Sequence, residues 1–407
     1  MGEKVALDGL RILDFTWVLA GPGAVRYLRD HGAEVIKVER KGEGDIGRRV
    51  HPFRNNVRGI NLSGYYNNIN RGKMGMTLNL ADPRAQDIIK RLVRICDVVF
   101  ENFTAGVMRK FGLHYDVLRQ VKPDIIMISM SGLGHTGVYR DYVTFGPALQ
   151  ALSGISYLMG EPQRDPAGFG YSYSDFTGGW GGVLPCLAAL HYRNLTGKGQ
   201  WIDAGQLEPL CALMGPGLLD YSVNKRGAHR LGNRLPWGIS APHGCYRCQG
   251  DDRWCVISVF NDAEWQGFCR ALGNPPWTRD EKFATALARS QHQDELDSLV
   301  EEWTGKHTPE QVMETLQKEG VAAGVVQTSQ DLVEKDPQLR HRGFWQYNEH
   351  PEIGHIGYEG VTFKLSETPG KVRGPAPLHG QHNSFVLGEL LGMSEKEIKD
   401  YAAAGII

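Results

Sequence analysis

The sequence predicts an α/β protein whose centre is a doubly wound parallel sheet. Strand and helix signals alternate through the first 130 residues, and the strands are short and apolar. Apolar strands of this kind are typical of parallel sheets, which helices cover on both faces. With 407 residues, the chain is also longer than one compact core usually accommodates, so we expect two or three domains.

Four strands of the predicted sheet can be placed in order along the chain. They cover residues 10–15, 34–39, 97–100 and 125–129. The helices between them are predicted up to residue 31, over 83–95 and over 106–121. Ligands of doubly wound sheets lie in the loops that follow the strands. Here those loops are rich in glycine, asparagine or charge, and we expect a binding cleft among residues 17–23, 40–45, 101–106 and 131–137.

The rest of the chain predicts a second, smaller region. A helix is expected over 206–221, and the polar, turn-rich segment that follows reads as a linker. Strands and then amphipathic helices come next, including a helix that begins after the capping residue Thr308. The predicted division is therefore a large domain over 1–221, a linker over 222–244, a small domain over 245–328 and a C-terminal segment over 329–407.

The overall charge and composition exclude several classes of function. The 45 Lys and Arg residues balance the 46 Asp and Glu residues, so there is no electrostatic argument for nucleic acid or an anionic membrane. No apolar run approaches the ~20 residues that span a bilayer, and the first residues lack a signal-peptide core. The seven cysteines are an odd number and mostly isolated. We therefore expect a cytoplasmic protein.

Two motifs point to other chemistry, and both are incomplete. Cys245 and Cys248 form a CxxC pair, but no second pair of Cys or His completes a zinc site, so we expect structural thiols and no metal. A Gly-Pro-Gly turn at 21–23, followed by Glu39, suggests a dinucleotide site. Arg26 replaces the third glycine of that motif, so an NAD-type oxidoreductase is a minor alternative.

Asp175 lies where an apolar helix begins, within the glycine-rich segment 170–182. The helix dipole and the unpaired N–H groups at a helix N-terminus favour an ionised carboxylate. Four glycines follow Asp175, and glycines allow a substrate to approach the backbone closely. This combination suits a nucleophilic or charge-stabilising carboxylate. The alternative is that Asp175 simply caps the helix, since Asp is a preferred N-cap residue.

A set of short segments runs in order along almost the whole chain. It comprises Leu-Asp-Gly-Leu-Arg-Ile-Leu-Asp-Phe at 7–15, Ala-Gly-Pro at 20–22, Gly-Ala-Glu-Val-Ile-Lys-Val-Glu at 32–39, Asn-Arg-Gly-Lys at 70–73, Glu-Asn-Phe at 101–103, Leu-Gln-Ala-Leu-Ser-Gly at 149–154, Thr-Gly-Lys-Gly-Gln at 196–200, Ala-Pro-Leu-His-Gly-Gln-His at 376–382 and Leu-Gly at 391–392. Together these segments resemble the family III CoA-transferases of the CaiB/BaiF type, such as formyl-CoA transferase. The resemblance implies that Asp175 is the catalytic nucleophile. It also implies that coenzyme A enters as an acyl-CoA substrate and that no cofactor is bound permanently.

The resemblance implies a fold, an assembly and a reaction. The expected fold is a large Rossmann-like domain, built from both ends of the chain, with a smaller α+β domain between them. The expected assembly is an interlocked homodimer, with a hetero-oligomer containing a paralogous subunit as the alternative. In the implied reaction, CoA moves from an acyl-CoA to a carboxylic acid through an aspartyl anhydride and an aspartyl-CoA thioester. Because anhydrides hydrolyse, the smaller domain is expected to exclude water.

By position, the resemblance also implies ten contacts to CoA. Arg40 and Lys110 would contact phosphates, while Phe103 and Phe111 would flank adenine or pantetheine. For each of these aromatic residues the alternative is packing in the core. The ten residues are Trp17, Val18, Leu19, Ala20, Arg40, Leu78, Asn102, Phe103, Lys110 and Phe111.

Two other functions are compatible with the resemblance. Acyl-CoA racemisation needs a second proton-transfer group, and Phe145 stands where racemases place a histidine. His135, in a glycine loop ten residues earlier, is the one substitute for that histidine as the second proton-transfer group. The alternative is that His135 is simply a polar loop residue. The third option is a non-catalytic subunit that pairs with a paralogue, and the presence of Asp175 weighs against it.

The substrate is only partly constrained by the sequence. Relatives that are specialised for oxalate carry a longer glycine-rich loop, which is not found near 230–250, so oxalate is not expected. Trp17 and Leu19 replace more polar residues of some relatives beside the thioester. They predict a more apolar site and suggest an aromatic or branched acid.

Overall fold

The computed structural model describes residues 5–235 and 240–407. Residues 1–4 lie outside the described ranges, as do residues 236–239 within the predicted linker. The chain forms two compact units. Unit 1 contains Met1–Ser156, Gly168–Gly227 and Gln338–Ile407, and unit 2 contains Tyr157–Ala167 and Ala228–Pro337. Unit 1 therefore includes both ends of the chain.

Unit 1 contains a six-stranded parallel sheet. Its strands are β1 (Arg11–Asp14), β2 (Glu34–Arg40), β3 (Met74–Leu78), β4 (Val98–Glu101), β5 (Ile126–Ser131) and β6 (Trp201–Gly205). Their spatial order is β3-β2-β1-β4-β5-β6, and every adjacent pair is parallel. The chain thus winds outward from β1 first to one side and then to the other. This topology confirms the predicted Rossmann-like, doubly wound sheet.

Helices cover the sheet because both of its faces are apolar. Leu13 and Ile36 belong to one buried cluster, whereas their neighbours Ile12 and Val35 belong to another on the opposite face. The helices up to residue 224 are α1 (Ala20–Asp30), α2 (Gly64–Ile69), α3 (Pro83–Ile95), α4 (Val107–Lys110), α5 (Tyr115–Val121), α6 (Gly146–Leu152), α7 (Ile155–Leu158), α8 (Tyr173–Thr196), α9 (Leu207–Leu213) and α10 (Gly215–Asn224).

Unit 2 is the smaller α+β unit. Its antiparallel sheet has the order β7 (His243–Arg247), β8 (Trp254–Ser258) and β9 (Ala322–Val325). Its helices are α11 (Asp262–Ala271), α12 (Ala286–Gln291), α13 (Gln293–Thr304) and α14 (Pro309–Lys318). Cys248 and Cys255 are buried in its core beside Phe268. In the part of the chain that the structure describes, no group of three His, Cys, Asp or Glu side chains could hold a metal ion.

The C-terminal segment returns to unit 1. It contains α15 (Pro337–His341), an antiparallel pair formed by β10 (Trp345–His350) and β11 (Gly354–Glu359), and α16 (Glu395–Ala403). Short 3₁₀ turns occur at Ile46–Arg49, Arg54–Asn56, Pro276–Arg279 and Glu281–Phe283, and single π-helical turns occur at Asp331–Lys335 and Phe385–Leu390. Within residues 5–235 and 240–407, no helix has the length and apolar character needed to cross a membrane.

The predicted and observed elements differ in several places. The sequence does not predict strands β3 and β6, which form the two edges of the sheet. The helix predicted over 106–121 is two helices, α4 and α5, because Gly112 adopts a left-handed conformation with φ of 63° between them. The helix predicted over 206–221 is likewise two helices, α9 and α10. Unit 2 is larger than the predicted small domain, since it includes residues 157–167, begins at 228 and ends at 337, so the C-terminal segment joins unit 1 at 338 and not at 329.

Candidate active site

Asp175 is the third residue of α8, and its backbone N–H donates to the Ser172 carbonyl at 3.0 Å. Ser172 occupies the N-cap position, so the interpretation of Asp175 as the N-cap is wrong. An interaction with the Ser172 side chain favours the ionised form of the Asp175 carboxyl. The dipole of this 24-residue helix also favours a negative charge in its first turn.

The start of α8 is fixed to α6 by polar contacts. Ser174 Oγ donates to the Gly146 carbonyl at 3.2 Å, and Gln150 Nε2 donates to the Tyr171 carbonyl at 2.9 Å. Gly146 has no room for a side chain, because a Cβ there would lie 2.7 Å from the Cβ of Ser172. These contacts hold the first turn of α8, and with it the catalytic candidate, against the start of α6.

A cleft of about 280 Å³ is lined by Asp175 and by the loops after β1, β4, β5 and β6. It therefore lies at the carboxyl edge of the sheet, where the winding reverses between β1 and β4. Among the described residues that line the cleft, Asp175 is the only carboxylate, and there is no Lys, Arg or His. The lining residues are Trp17, Val18, Leu19, Ala20, Ile46, Tyr65, Asn102, Phe103, Thr104, Ser131, Gly132, Tyr142, Val143, Thr144, Phe145, Gly146, Leu149, Ser172, Asp175 and Gln206.

Burial changes the acidity of Asp175. Removal from water raises the pKa of its carboxyl to about 6, and the interaction with Ser172 offsets only part of this effect. At pH 7 such a group is still roughly nine-tenths ionised, and it is more basic than an ordinary aspartate. Asp175 thus combines the ionised state with the raised basicity that a carboxylate nucleophile needs.

The pKa of Asp175 predicts a pH dependence for catalysis. For a nucleophile that reacts only as its carboxylate, kcat/KM is expected to fall about tenfold per pH unit below pH 6 and to level off above it. The folded-state pKa lies above its usual value of 3.8, so this group's contribution to stability is present below pH 3.8 and is lost as the pH rises through 6. Asp175→Asn should therefore raise the melting temperature more at pH 8 than at pH 4. Initial rates and melting curves across pH check both expectations, and an acid limb near pH 4 would contradict them.

The loop after β1 is held in a strained conformation at the cleft. Val18 has a φ of 68°, which a β-branched residue rarely adopts. Asn102 fixes the preceding residue, because its Oδ1 accepts from the Trp17 N–H at 2.7 Å and its Nδ2 donates to the Trp17 carbonyl at 2.8 Å. Asp45 accepts from the Val18 N–H at 3.0 Å. The loop conformation is thus set by the protein itself, directly before α1 begins.

Glu39 is fully engaged within the protein. Arg48 donates to both of its carboxylate oxygens at 2.7 Å, the Tyr66 hydroxyl donates at 2.8 Å, and the Asp45 N–H donates at 2.9 Å. Burial alone would raise the pKa of Glu39, but these partners lower it to about 2. The dinucleotide alternative needs this carboxylate for a ribose, so the structure argues against it.

The glycines of α8 serve helix packing. A Cβ on Gly179 would lie 3.2 Å from the Ala20 carbonyl oxygen in α1, and a Cβ on Gly182 would lie 2.5 Å from Met130 Sδ in β5. Both glycines, and Gly178 as well, are buried. They therefore let α8 approach α1 and the sheet. None of these three glycines lines the cleft, so the structure does not support the expectation that they admit the substrate.

Six of the ten predicted CoA contacts line this cleft. Trp17 and Phe103 also contact each other edge to face, with ring centroids 5.8 Å apart. The loops after β1 and β4 thus converge in front of α8, as the position of the sheet's winding reversal requires. The six residues are Trp17, Val18, Leu19, Ala20, Asn102 and Phe103.

The other four predicted contacts lie outside the lining of the cleft. Arg40 is exposed and pairs with Glu43 at 3.3 Å, and Lys110 is exposed at the end of α4. Phe111 is partly buried against the core, and Leu78 is buried within it. A contact through the Leu78 side chain is therefore not supported, whereas the surface positions of Arg40 and Lys110 leave their charges accessible.

The cleft also contains residues that the sequence analysis does not single out. Tyr65 lies near Asp175, and burial together with nearby negative charge raises the pKa of its hydroxyl. Gln206 directly follows β6, so recognition of that strand would have located it. Tyr65 and Tyr142 do not follow a predicted strand, so the sequence does not indicate that they line the cleft.

Phe145 and His135 occupy different environments. Phe145 lines the same cleft as Asp175, and 64% of its surface is exposed. His135 does not line this cleft, and its Nε2 lies 3.5 Å from Glu101 Oε1. Among the described residues that line the cleft, none other than Asp175 is a carboxylate or a histidine able to exchange a proton with a substrate carbon.

Comparison with known proteins identifies close relatives. The family model described as CoA-transferase family III matches residues 7–383. The succinyl-CoA–D-citramalate CoA-transferase of Chloroflexus aurantiacus is 36% identical over 401 residues, which cover 98% of this chain and 98% of that protein. The beta subunit of the succinyl-CoA–L-malate CoA-transferase of the same organism is 31% identical, again over 98% of both chains. The crystal structure of a CaiB/BaiF family protein from Brucella suis matches with a TM-score of 0.88 and 31% identity, over 95% of this chain and 100% of that one.

Proposed function

Because this chain belongs to CoA-transferase family III and is a CoA-transferase, we propose that it carries CoA covalently on Asp175 between two carboxylic acids. The observation that carries this proposal is the position of Asp175 as the one carboxylate among the described residues lining the cleft. Its raised pKa and its place in the first turn of α8 support the role of nucleophile.

The proposed reaction consists of four carbonyl substitutions. The Asp175 carboxylate attacks the donor thioester, which gives a mixed anhydride and CoA thiolate. The thiolate attacks the Asp175 carbonyl, which gives an aspartyl-CoA thioester and releases the donor acid with one oxygen from Asp175. The acceptor carboxylate then attacks this thioester, which forms a second anhydride and again frees the thiolate. Attack of the thiolate on the acceptor carbonyl yields the new acyl-CoA and restores Asp175.

Each substitution passes through an oxyanion, which needs hydrogen-bond donors. The side chains of Ser172 and Gln206 line the cleft together with Asp175. Tyr65 and Tyr142 add hydroxyl groups to the same wall. We infer that some of these groups, with the free N–H groups of the first turn of α8, stabilise the oxyanions.

We propose that the pantetheine arm of CoA runs along the loops after β1 and β4. The lining by Trp17–Ala20 and by Asn102 and Phe103 supports this path. For the phosphates, Arg40 and Arg49 both lie near Glu43, at 3.3 and 3.8 Å. A phosphate of CoA would take the place of the Glu43 carboxylate between the guanidinium groups of Arg40 and Arg49. Two guanidinium groups side by side favour the binding of an anion. Lys110 and Phe111 remain proposed contacts to the nucleotide.

The substrates can be narrowed from the relatives and from the cleft. Both reported relatives are named for succinyl-CoA, which supports a succinyl-CoA donor and a dicarboxylic acceptor. The cleft, however, carries several large aromatic side chains. We infer an acceptor acid with a bulky apolar substituent, because five aromatic residues line the cleft: Trp17, Tyr65, Phe103, Tyr142 and Phe145.

A CoA-exchange assay tests the proposed function. Succinyl-CoA is incubated with the protein and one acid from a panel of malate, citramalate, glutarate and alkyl- or aryl-substituted succinates. Separation of the CoA esters should reveal a new acyl-CoA that forms only when the acid is present, fastest with an apolar substituent. Acid-independent loss of succinyl-CoA, with no new ester from any acid, would contradict CoA transfer.

We propose that the chain works as a homodimer. Helices α8 and α10 expose many apolar side chains, and exposed patches of this kind mark interfaces. The interlocked form is the expected one, and pairing with a paralogous subunit is the alternative that the beta subunit among the relatives supports. The presence of Asp175 in a complete cleft argues against a non-catalytic subunit. The exposed residues on these helices include Trp180, Leu184, Leu187, Leu195, Leu218, Leu219, Tyr221 and Val223.

A further inference from the structure

A second polar cavity, of about 340 Å³, is lined by the carboxyl end of β4, by Met127 and Ser129 of β5 and by Trp201 at the start of β6. Glu101, the last residue of β4, and His135, from the loop after β5, both line it. Glu101 Oε1 and His135 Nε2 are 3.5 Å apart, and the Glu101 side chain is fully buried. Within the described residues neither of these two buried atoms has a hydrogen-bond partner. Buried polar atoms without partners are costly, so the two groups are best satisfied by each other.

The remaining polar atoms of this pair contact Phe103. Glu101 Oε2 accepts from the Phe103 backbone N–H at 2.9 Å, and the Phe103 carbonyl interacts with the His135 imidazole. Phe103 and the adjacent Asn102 line the active-site cleft. Asn102 in turn holds both backbone groups of Trp17. The buried pair is thus connected to the cleft through one short segment of chain.

Strands β5 and β6 support the pair from the other side. Trp201 Nε1 donates to Ser129 Oγ at 3.0 Å, and the Ser129 side chain holds the pKa of Glu101 below the value that burial alone would give. Asp203 accepts from the His135 backbone N–H at 2.7 Å. The other titratable or charged groups that line the cavity, from α4, α5 and the loop after β5, are Arg109, His114, Tyr115, Asp116, Arg140 and Asp141.

One arrangement of protons satisfies this network. Burial raises the pKa of Glu101 to about 7 and lowers the pKa of His135, so near neutral pH the ring is uncharged. A protonated Glu101 donates from Oε1 to Nε2 of His135, and the Nδ1–H of the ring then faces the Phe103 carbonyl. When Glu101 loses its proton, a carboxylate meets the lone pair of Nε2. The ring must then carry its proton on Nε2, and the Phe103 carbonyl loses its donor.

We propose that Glu101 and His135 are positioning residues, which share one proton and thereby hold Asn102 and Phe103 in the conformation that binds acyl-CoA. The inference rests on the proposed CoA contacts of these two residues. In this proposal His135 affects the affinity for acyl-CoA and does not transfer a proton to the substrate. Loss of the shared proton in mildly alkaline solution releases the segment and weakens the binding of acyl-CoA.

Calorimetry with acetyl-CoA tests this inference in a protein that carries Asp175→Ala and so cannot react. Between pH 6 and 8.5 the dissociation constant is expected to rise about five- to tenfold, the scale of one hydrogen bond.

Adding His135→Gln to the same protein should keep the dissociation constant within about twofold over this pH range, because the amide can accept from or donate to Glu101. Adding His135→Leu, which fills the space without a polar atom, should weaken binding about tenfold at pH 6.5.

His114→Gln is the matched control. His114 lines the same cavity, but its ring contacts Arg109 at 3.3 Å, so this change should leave the pH profile of the parent protein intact. Unchanged affinity in His135→Leu, or a His135→Gln profile as steep as that of the parent, would overturn the inference. Failure of the parent itself to bind acetyl-CoA at any pH would instead contradict the proposed function. Melting curves establish that each variant is folded.

Discussion

Asp175→Ala is expected to lower CoA transfer by about 10³-fold or more while the protein stays folded. In the proposed mechanism the change removes the nucleophile, and with it both the anhydride and the aspartyl-CoA thioester. Folding should not suffer, because ionisation of a carboxyl with a pKa of about 6 opposes folding at neutral pH. The measurement is the initial rate of acid-dependent CoA exchange, together with the melting temperature.

A matched control for this change is Glu395→Gln. Glu395 also lies in the first turn of a helix, α16, but it is exposed and outside the cleft lining. Its loss should leave the rate unchanged. Wild-type protein that has been incubated with succinyl-CoA and then hydroxylamine should carry a hydroxamate on Asp175, and Asp175→Ala should not. Turnover by Asp175→Ala near the wild-type rate would exclude the covalent mechanism.

A chiral 2-methylacyl-CoA is expected to keep its configuration when it is incubated with the protein in deuterated water without an acceptor acid. Racemisation needs two groups that exchange the α-proton on opposite faces. Asp175 could be one of them, but Phe145, which lines the same cleft, cannot exchange a proton. His135 is engaged with Glu101 in a different cavity. Mass spectrometry for deuterium at C2 and chiral chromatography measure the outcome.

The variant Phe145→His provides a comparison for this experiment. It places an imidazole in the same cleft as an intact Asp175, so slow deuterium uptake in this variant alone would support the explanation. Deuterium uptake with loss of configuration in the unmodified protein would reassign it as an isomerase. Uptake that persists in Asp175→Ala would point to a base outside the cleft described above.

The central strands of the sheet could be predicted because they are short segments with several apolar residues each, bounded by turn signals. The edge strands β3 and β6 could not, since each contains a residue that only a distant contact explains. A Cβ on Gly75 in β3 would lie 2.8 Å from Pro377 Cγ, so the C-terminal segment requires a glycine there. Asp203 in β6 accepts the His135 N–H. Such contacts exist only in the folded chain.

In the candidate site, too, features with a local cause in the sequence could be predicted, whereas features that depend on distant contacts could not. Asp175 could be found from its helix start and from the family resemblance, and the loops after β1 and β4 could be expected from the winding of the sheet. The raised pKa of Asp175 could not be predicted, because it results from burial among residues distant in sequence such as Tyr65 and Tyr142. The pair of Glu101 and His135 likewise joins two loops that only the sheet brings together.

An acceptor acid labelled with oxygen-18 in its carboxylate tests covalent transfer through Asp175 most directly. In the proposed mechanism, the oxygen that bridges the second anhydride comes from the acceptor and stays on Asp175 when the new acyl-CoA leaves. After turnover, the peptide that contains Asp175 should therefore be heavier by about two mass units for each labelled oxygen. Formation of the new acyl-CoA with an unlabelled Asp175 peptide would show that the acids exchange CoA without a bond to this residue.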